Sequence, residues 1–297
     1  MSDEDLADGR IFIGRGRATT FEAAVPEGSV VLVEAPAAKA TEEAQVIFED
    51  RDLLVVNKPA SWVTIAELRG KGRALLDHLA ATRSLAPHAL HATSRLDLGV
   101  SGVVTFAKSA RARESLATLR RENRYGRAYL ALARGVLPSK AGTWVEAIGR
   151  GDDGKHRQVD GKDAAQSESR FDVMATSADA VFSLLLLRPM TGRTHQLRVH
   201  AAHAGAPLLG DRTYGPAKPI VARDGNVIPF ERIALHCARV CFGAPVARAF
   251  ESPVPSELSS LWVELGGASA DWETALDAAR TLLPTPEPRA RRHARRP

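Results

Sequence analysis

Two runs of this chain hold residue types whose spacing could support chemistry. Ser94-Arg95-Leu96-Asp97-Leu98-Gly99-Val100-Ser101-Gly102 sets one carboxylate between two leucines, just ahead of a glycine and a small pair. Thr191-Gly192-Arg193-Thr194-His195-Gln196-Leu197-Arg198 gathers donors and cations much later in the chain. An acid hemmed in by apolar side chains is costly to keep ionised unless a cation faces it. An arginine of the second run is the expected partner. A paired, partly buried carboxylate in a basic cleft suits work on an anionic polymer, although many such pairs only hold a fold together.

Periodicity shows which elements must position these runs. Val46-Ile47-Phe48 and Leu53-Leu54-Val55-Val56 predict strands, the second closed by Asn57-Lys58-Pro59. Leu75 to Ala81 predicts a helix, and Val103 to Ala107 a buried strand leaving the Asp97 turn. Ser109 to Arg121 is read as a helix because Ala112, Leu116 and Leu119 share one face. Ala128 to Ala133 and Val181 to Leu187 predict strands, the latter running into the second motif. Gln196 to Ala204 has helical character and Gly205 ends it. Residues 149–167 read as an exposed hairpin or loop, and Gly215 to Pro229 as a surface excursion. Ile233 to Phe242 predicts a returning strand, and Asp271 to Leu283 a terminal amphipathic helix.

The leader, residues 1–45, contains one short apolar stretch, Ser29 to Val33, followed by a linker from Ala35 to Ala44. With 297 residues the chain can bury a substantial core. Hydrophobic residues at 44% and charged residues at 25% are ordinary for a soluble enzyme. No apolar run approaches the ~20 residues of a membrane span. The acidic start, Met1 to Asp8, lacks the layout of a signal peptide, so the expected location is the cytoplasm. Arg289, Arg291, Arg292, Arg295 and Arg296 account for the whole net charge of +5. Residues 284–297 therefore read as a disordered basic tail adding salt-sensitive, sequence-blind attraction. Arg111, Arg113, Arg120, Arg121, Arg124, Arg127 and Arg134 form a second cluster, part of which is expected to touch phosphate. Cys237 and Cys241 on one strand would stand about 13 Å apart, too far for a disulfide. They also make a poor zinc site.

Four stretches in order resemble the RluA-type pseudouridine synthases, which isomerise uridine in structured RNA. They are Leu53 to Pro59; Arg95-Leu96-Asp97 with Ser101-Gly102 and Phe106-Ala107-Lys108; Arg127-Ala128-Tyr129-Leu130-Ala131-Leu132 with Gly135; and Thr191 to His200 through Pro207, Gly210-Asp211 and Tyr214-Gly215. Leu235-His236 and Ala244-Pro245 resemble the closing strand. The resemblance implies an α+β fold, a mixed and mostly antiparallel sheet with flanking helices and loops. It places the catalytic domain at residues 46–265, the C-terminal helix at 266–283, and leaves the leader too short for a full S4 RNA-binding domain.

For the site, the resemblance implies Asp97 as the catalytic carboxylate, paired to Arg198. It implies that Tyr129 stacks on the uracil while its hydroxyl assists loss of the C5 proton. Arg95 would fill the space left by an everted nucleotide, since a stacked uridine cannot reach a carboxylate without leaving the helix. Arg193, His195 and Leu235 complete the expected substrate-binding set. The isomerisation is redox-neutral and hydrolyses nothing, so no cofactor or metal is expected. RNA is the expected partner, with no membrane, no obligatory protein partner and a monomeric state.

His195, His200 and His203 invite a metal reading, but on one helix His195 would lie about 140° from His200. No acid joins them at ligand spacing. The chain also departs from the family pattern. Ser94 stands where a histidine is usual, and Leu98, Gly99 and Val100 replace the usual arginine, acid and threonine. Contacts to nucleotides flanking the target are the property these changes put in question. The competing readings are a non-catalytic RNA-binding or ribosome-assembly factor on the same fold, and a metal-dependent hydrolase built on the histidines.

Overall fold

The computed structural model describes residues 11–13, 16–17, 31–33, 43–66, 74–86, 89–154, 156–216, 218–242 and 248–282. Most of the Ala35 to Ala44 linker and the whole arginine tail lie outside the described residues. The chain divides after Glu43 into two units, each considered by itself. In the first, β1 (Ile11–Ile13), β2 (Gly16–Arg17) and β3 (Val31–Val33) pair antiparallel in the order β2-β1-β3. The strand predicted at Ser29 to Val33 thus forms its last three residues.

The second unit follows the α+β expectation. The strands β4 (Gln45–Glu49) and β5 (Leu53–Lys58) precede helix α1 (Leu75–Thr82). Next come β6 (His91–Ala92), β7 (Ser101–Ala107), helix α2 (Ala110–Arg121) and the long β8 (Tyr125–Arg134). After β9 (Ala141–Trp144), strands β10 (Ile148–Arg150), β11 (Arg157–Val159) and β12 (Lys162–Ala165) make a small separate sheet. They are followed by β13 (Ser169–Thr176), β14 (Phe182–Pro189) and helix α3 (Gln196–His203). The pair β15 (Ile220–Val221) and β16 (Val227–Ile228) leads to β17 (Leu235–Phe242) and β18 (Arg248–Glu251). Helices α4 (Ser256–Glu264) and α5 (Ala270–Leu282) close the described chain.

The main sheet runs β4-β5-β7-β17-β8-β14-β13-β9. Only β7 and β17 pair in parallel along it. Successive side chains of a strand point to opposite faces. Ala128, Leu130 and Leu132 of β8 accordingly join Leu184 and Leu186 of β14 under Leu258, Leu261, Trp262 and Trp272 of the two terminal helices. Burying each large apolar side chain there contributes roughly 1.5–3 kcal/mol. Arg127 and Tyr129 belong to the alternate set of β8 and are left for the other face.

Local rules explain two of the helix ends. Ser109 caps α2 by accepting the Ala112 N–H at 3.1 Å, and Ala112, Leu116 and Leu119 are its buried face. Gly205, with φ of 80°, follows α3 where a glycine stop was expected. Gly102 has φ of 115°, and a Cβ there would stand 2.3 Å from the Cys237 carbonyl oxygen. A glycine is what lets β7 come this close to β17 directly after the Asp97 turn.

Three expectations need refinement. The 149–167 segment takes the hairpin form of its hairpin-or-loop expectation, with three short antiparallel strands, β10 to β12, joined by turns. β9 and β13 were not predicted; β9 is short and carries little apolar pattern, whereas Phe171 and Val173 of β13 do alternate with Arg170 and Asp172. The terminal region holds two helices instead of one: α4 buries Leu258, Leu261 and Trp262, whose helical spacing is visible in the sequence. Cys237 and Cys241 are buried and form no disulfide. Burial pushes the Cys237 thiol up to about 12, so it is inert at neutral pH.

Candidate active site

Arg95, Asp97, Tyr129, Arg193, His195, Arg198 and Leu235, far apart in sequence, line a single pocket. It sits on the central strands: Asp97 comes from the turn before β7, Tyr129 from β8, Arg193 to Arg198 from the segment after β14, and Leu235 from the start of β17.

The Asp97 turn is tied down on both sides. Thr64 Oγ1 donates to the Leu96 carbonyl and accepts the Leu96 N–H, both at 2.9 Å. Gly99 donates its N–H to Ala60 at 2.8 Å and accepts from Ile233 at 3.2 Å. Leu96 is buried but Leu98 is 50% exposed, which corrects the picture of an acid hemmed in by both leucines. Neighbouring residues of a turn point different ways, so one leucine packs and the other faces solvent. The Asp97 side chain keeps 27% exposure and remains reachable.

Arg198 Nη1 donates to Asp97 Oδ2 at 3.0 Å. The remaining fork of the guanidinium belongs to Asp211, with Nε to Oδ2 at 2.7 Å and Nη2 to Oδ1 at 2.9 Å. Asp211 Oδ1 also accepts the Thr213 and Tyr214 N–H groups at 3.0 and 3.2 Å. Burial alone would raise the Asp211 carboxyl, but Arg198 and these amides hold it below the usual range. Burial likewise opposes the charge on Arg198, and hydrogen bonding to Asp211 and Asp97 more than offsets it.

His195 is not on the helix. It precedes Gln196 with φ of 57°, in the left-handed region, which separates it from His200 more completely than helical spacing alone. Its Nδ1 lies 2.7 Å from the Tyr214 hydroxyl, and that hydroxyl accepts the Arg157 N–H at 2.9 Å. With that N–H bonded, the hydroxyl is free to offer its own proton to Nδ1, the arrangement in which the imidazole hydrogen sits on Nε2. Nε2 stands 3.8 Å from Asp97 Oδ2. Burial lowers the His195 pKa, with Asp97 opposing, which favours the neutral ring. His200 is buried with Nδ1 on Ser169 Oγ and Nε2 on the Glu146 carbonyl. Among the described residues no group of three or more His, Cys, Asp or Glu side chains is placed to hold a metal.

Tyr129 lines the pocket while only 4% exposed. Burial, with Cys237 next to it, pushes its hydroxyl far up, so it stays protonated and can act on a proton only as a neutral phenol. Arg95 and Arg193 are exposed at the pocket, and Arg193 Nε reaches the Gln166 carbonyl at 3.2 Å.

Four positioning residues were not predicted from the sequence as site residues. Asp211 and Tyr214 stand out there only as parts of a motif. Gln196 accepts from Thr191 Oγ1 and the Arg193 N–H through Oε1, and donates to Glu168 and Ser169 through Nε2, so it fixes the whole 191–195 segment. Lys58 is fully buried at the end of β5 and donates to the Pro59 and Trp62 carbonyls. Burial, with Arg232 adding to it and Asp97 opposing, pushes its amine down to about 7.

Comparison with known proteins gives the class to which this fold belongs, an RNA-base isomerase. The RNA pseudouridylate synthase family profile matches residues 52–203. An uncharacterised RNA pseudouridine synthase of Bacillus subtilis, YhcT, is 32% identical over 224 residues, 74% of this chain and 71% of the relative. Ribosomal large subunit pseudouridine synthase C of Pasteurella multocida is 37% identical over 180 residues, 58% of this chain and 52% of that protein. Among solved structures, human RNA pseudouridylate synthase domain containing 1 superposes with a TM-score of 0.58 at 28% identity, covering 74% of this chain and 88% of the other. The chain belongs to the RluA-type RNA pseudouridine synthases, and it is an isomerase. Among the described residues no helix is long and apolar enough to cross a membrane.

Proposed function

We propose that this enzyme converts uridine to pseudouridine in ribosomal or transfer RNA, with Asp97 as the catalytic carboxylate. The supporting observation is the reachable Asp97 carboxylate held at 3.0 Å by a buried Arg198 inside the pocket. In the overall reaction the N1–C1′ bond breaks, the C5–C1′ bond forms, C5 loses its proton and N1 gains one. No electron acceptor or water is consumed, so the chemistry needs neither cofactor nor metal. Asp97 acts as the reacting carboxylate, by addition to the sugar or by removing a ribose proton, and the Arg198 guanidinium holds it in place for either route.

The uridine leaves its stack to enter, at a cost of a few kcal/mol. Arg95, exposed at the pocket, fills the vacated place. Tyr129 stacks on the base and relays the C5 proton, while Arg193, His195 and Leu235 contact the nucleotide. The enzyme acts as a cytoplasmic monomer without an obligatory protein partner. The test is Asp97→Asn, which should abolish pseudouridine formation on total RNA while RNA affinity stays within a few-fold. Full turnover by that variant would refute the assignment. Pseudouridine mapping in a strain lacking the enzyme identifies the RNA.

A further inference from the structure

Arg120, from the end of α2, and Arg127, from β8, bring their guanidinium groups together at Gly192, in the wall of the pocket that holds Asp97. Arg120 Nη1 donates to the Thr93 carbonyl, and Arg127 Nη2 donates to the Thr191 carbonyl at 2.8 Å. A carbonyl satisfies a donor but carries no net charge. Among the described residues neither arginine forms an ion pair with a carboxylate, and Arg127 Nε is buried without a hydrogen-bond partner. Two like charges half-buried side by side are unfavourable, and burial together with Arg127 disfavours the charge on Arg120.

The glycine leaves the two guanidinium groups uncovered by any side chain. A Cβ at residue 192 would fall 2.8 Å from Arg120 Nη2 and 3.8 Å from Arg127 Nη2, so any larger residue would crowd Arg120. Gly192 itself is exposed to solvent.

We infer that Arg120 and Arg127, left uncovered at Gly192, form an anion subsite that takes one phosphodiester of the RNA next to the everted nucleotide. This rests on RNA being the substrate, as proposed above. A backbone phosphate here would neutralise the paired charges and fix the register of the strand, while the base enters towards Asp97.

The test is the salt dependence of binding to a short single-stranded oligouridylate, which requires no turnover. Each phosphate contact contributes a slope of about 0.7 in log K against log salt for single strands. Arg127→Gln should lower the slope by about that amount, whereas Arg127→Lys should largely keep it. Gly192→Ala removes no charge but puts a methyl 2.8 Å from Arg120 Nη2 and so pushes that guanidinium off the phosphate, which should weaken oligouridylate binding and lower the slope as Arg127→Gln does. Arg120→Gln should behave alike, but it also unpins Thr93, so the other two variants decide the matter, with melting curves confirming their fold. Unchanged slopes in both Arg127→Gln and Gly192→Ala overturn the subsite. A wild type that binds with the expected slope yet forms no pseudouridine would overturn the functional proposal and leave the subsite standing.

Discussion

Arg198 gives two of its hydrogen bonds to Asp211 and one to Asp97. The arginine that supports the candidate catalytic acid is thus itself held by a second, more deeply buried acid. Asp211 locks the planar fork, so Nη1 has one direction left, which is towards Asp97.

Removing the lock should therefore affect both stability and rate. Asp211→Asn leaves a buried guanidinium with half its compensation, and breaking such pairs costs about 3–5 kcal/mol. Urea unfolding at neutral pH should show a loss of that order, and turnover should fall at least tenfold with little change in KM. Because the folded Asp211 pKa lies below its unfolded value of about 4, its contribution is present above that pH and fades as pH falls through the folded pKa. Acid unfolding of Asp211→Asn should accordingly be shallower than that of the wild type.

Tyr214→Phe deletes one hydroxyl and leaves two partners, His195 Nδ1 and the Arg157 N–H, without their bond. A destabilisation of about 1–3 kcal/mol is expected for the unsatisfied groups. Nitrogen-15 NMR of the His195 ring should show hydrogen on Nε2 in the wild type and a mixture of tautomers in the variant. An identical spectrum in both would mean that Tyr214 does not set the tautomer.

Tyr129→Phe keeps the ring and its packing but removes the proton relay. Binding of RNA should be nearly unchanged while turnover drops by about two orders of magnitude, within the usual range for a lost acid–base group. Substrate deuterated at uridine C5 should react with a larger isotope effect in the variant, as loss of that proton becomes slow.

Lys58 reports on burial through pH. Its folded pKa of about 7 lies below the unfolded value of about 10.4, so the unfolded chain binds more protons between those limits. Wild-type stability should climb as pH rises from about 7 towards 10, by at most about 1.4 kcal/mol per unit from this group. In Lys58→Met that climb should disappear, and a slope unchanged by the substitution would show that the amine is not the source.

Much of the arrangement is local and was legible without coordinates. Alternation and apolar runs placed β5, β7, β14 and β17, the spacing of Ala112, Leu116 and Leu119 placed α2, and the two motif runs held Arg95, Asp97, Arg193, His195 and Arg198 of the pocket, while Tyr129 and Leu235 came from the family resemblance. These signals survive in sequence because strand and helix periods act over a few neighbours. The tertiary structure alone decided the rest. Leu98 turns outward, Gln196 braces its own loop, Asp211 competes with Asp97 for one guanidinium, Tyr214 orients His195, and Arg120 meets Arg127 at Gly192. Each of these depends on where distant segments are brought together by a sheet whose strand order departs from chain order, and no local pattern carries that order. Sequence specified which side chains were available for chemistry; the packing of β7, β17, β8 and β14 specified which charges face one another.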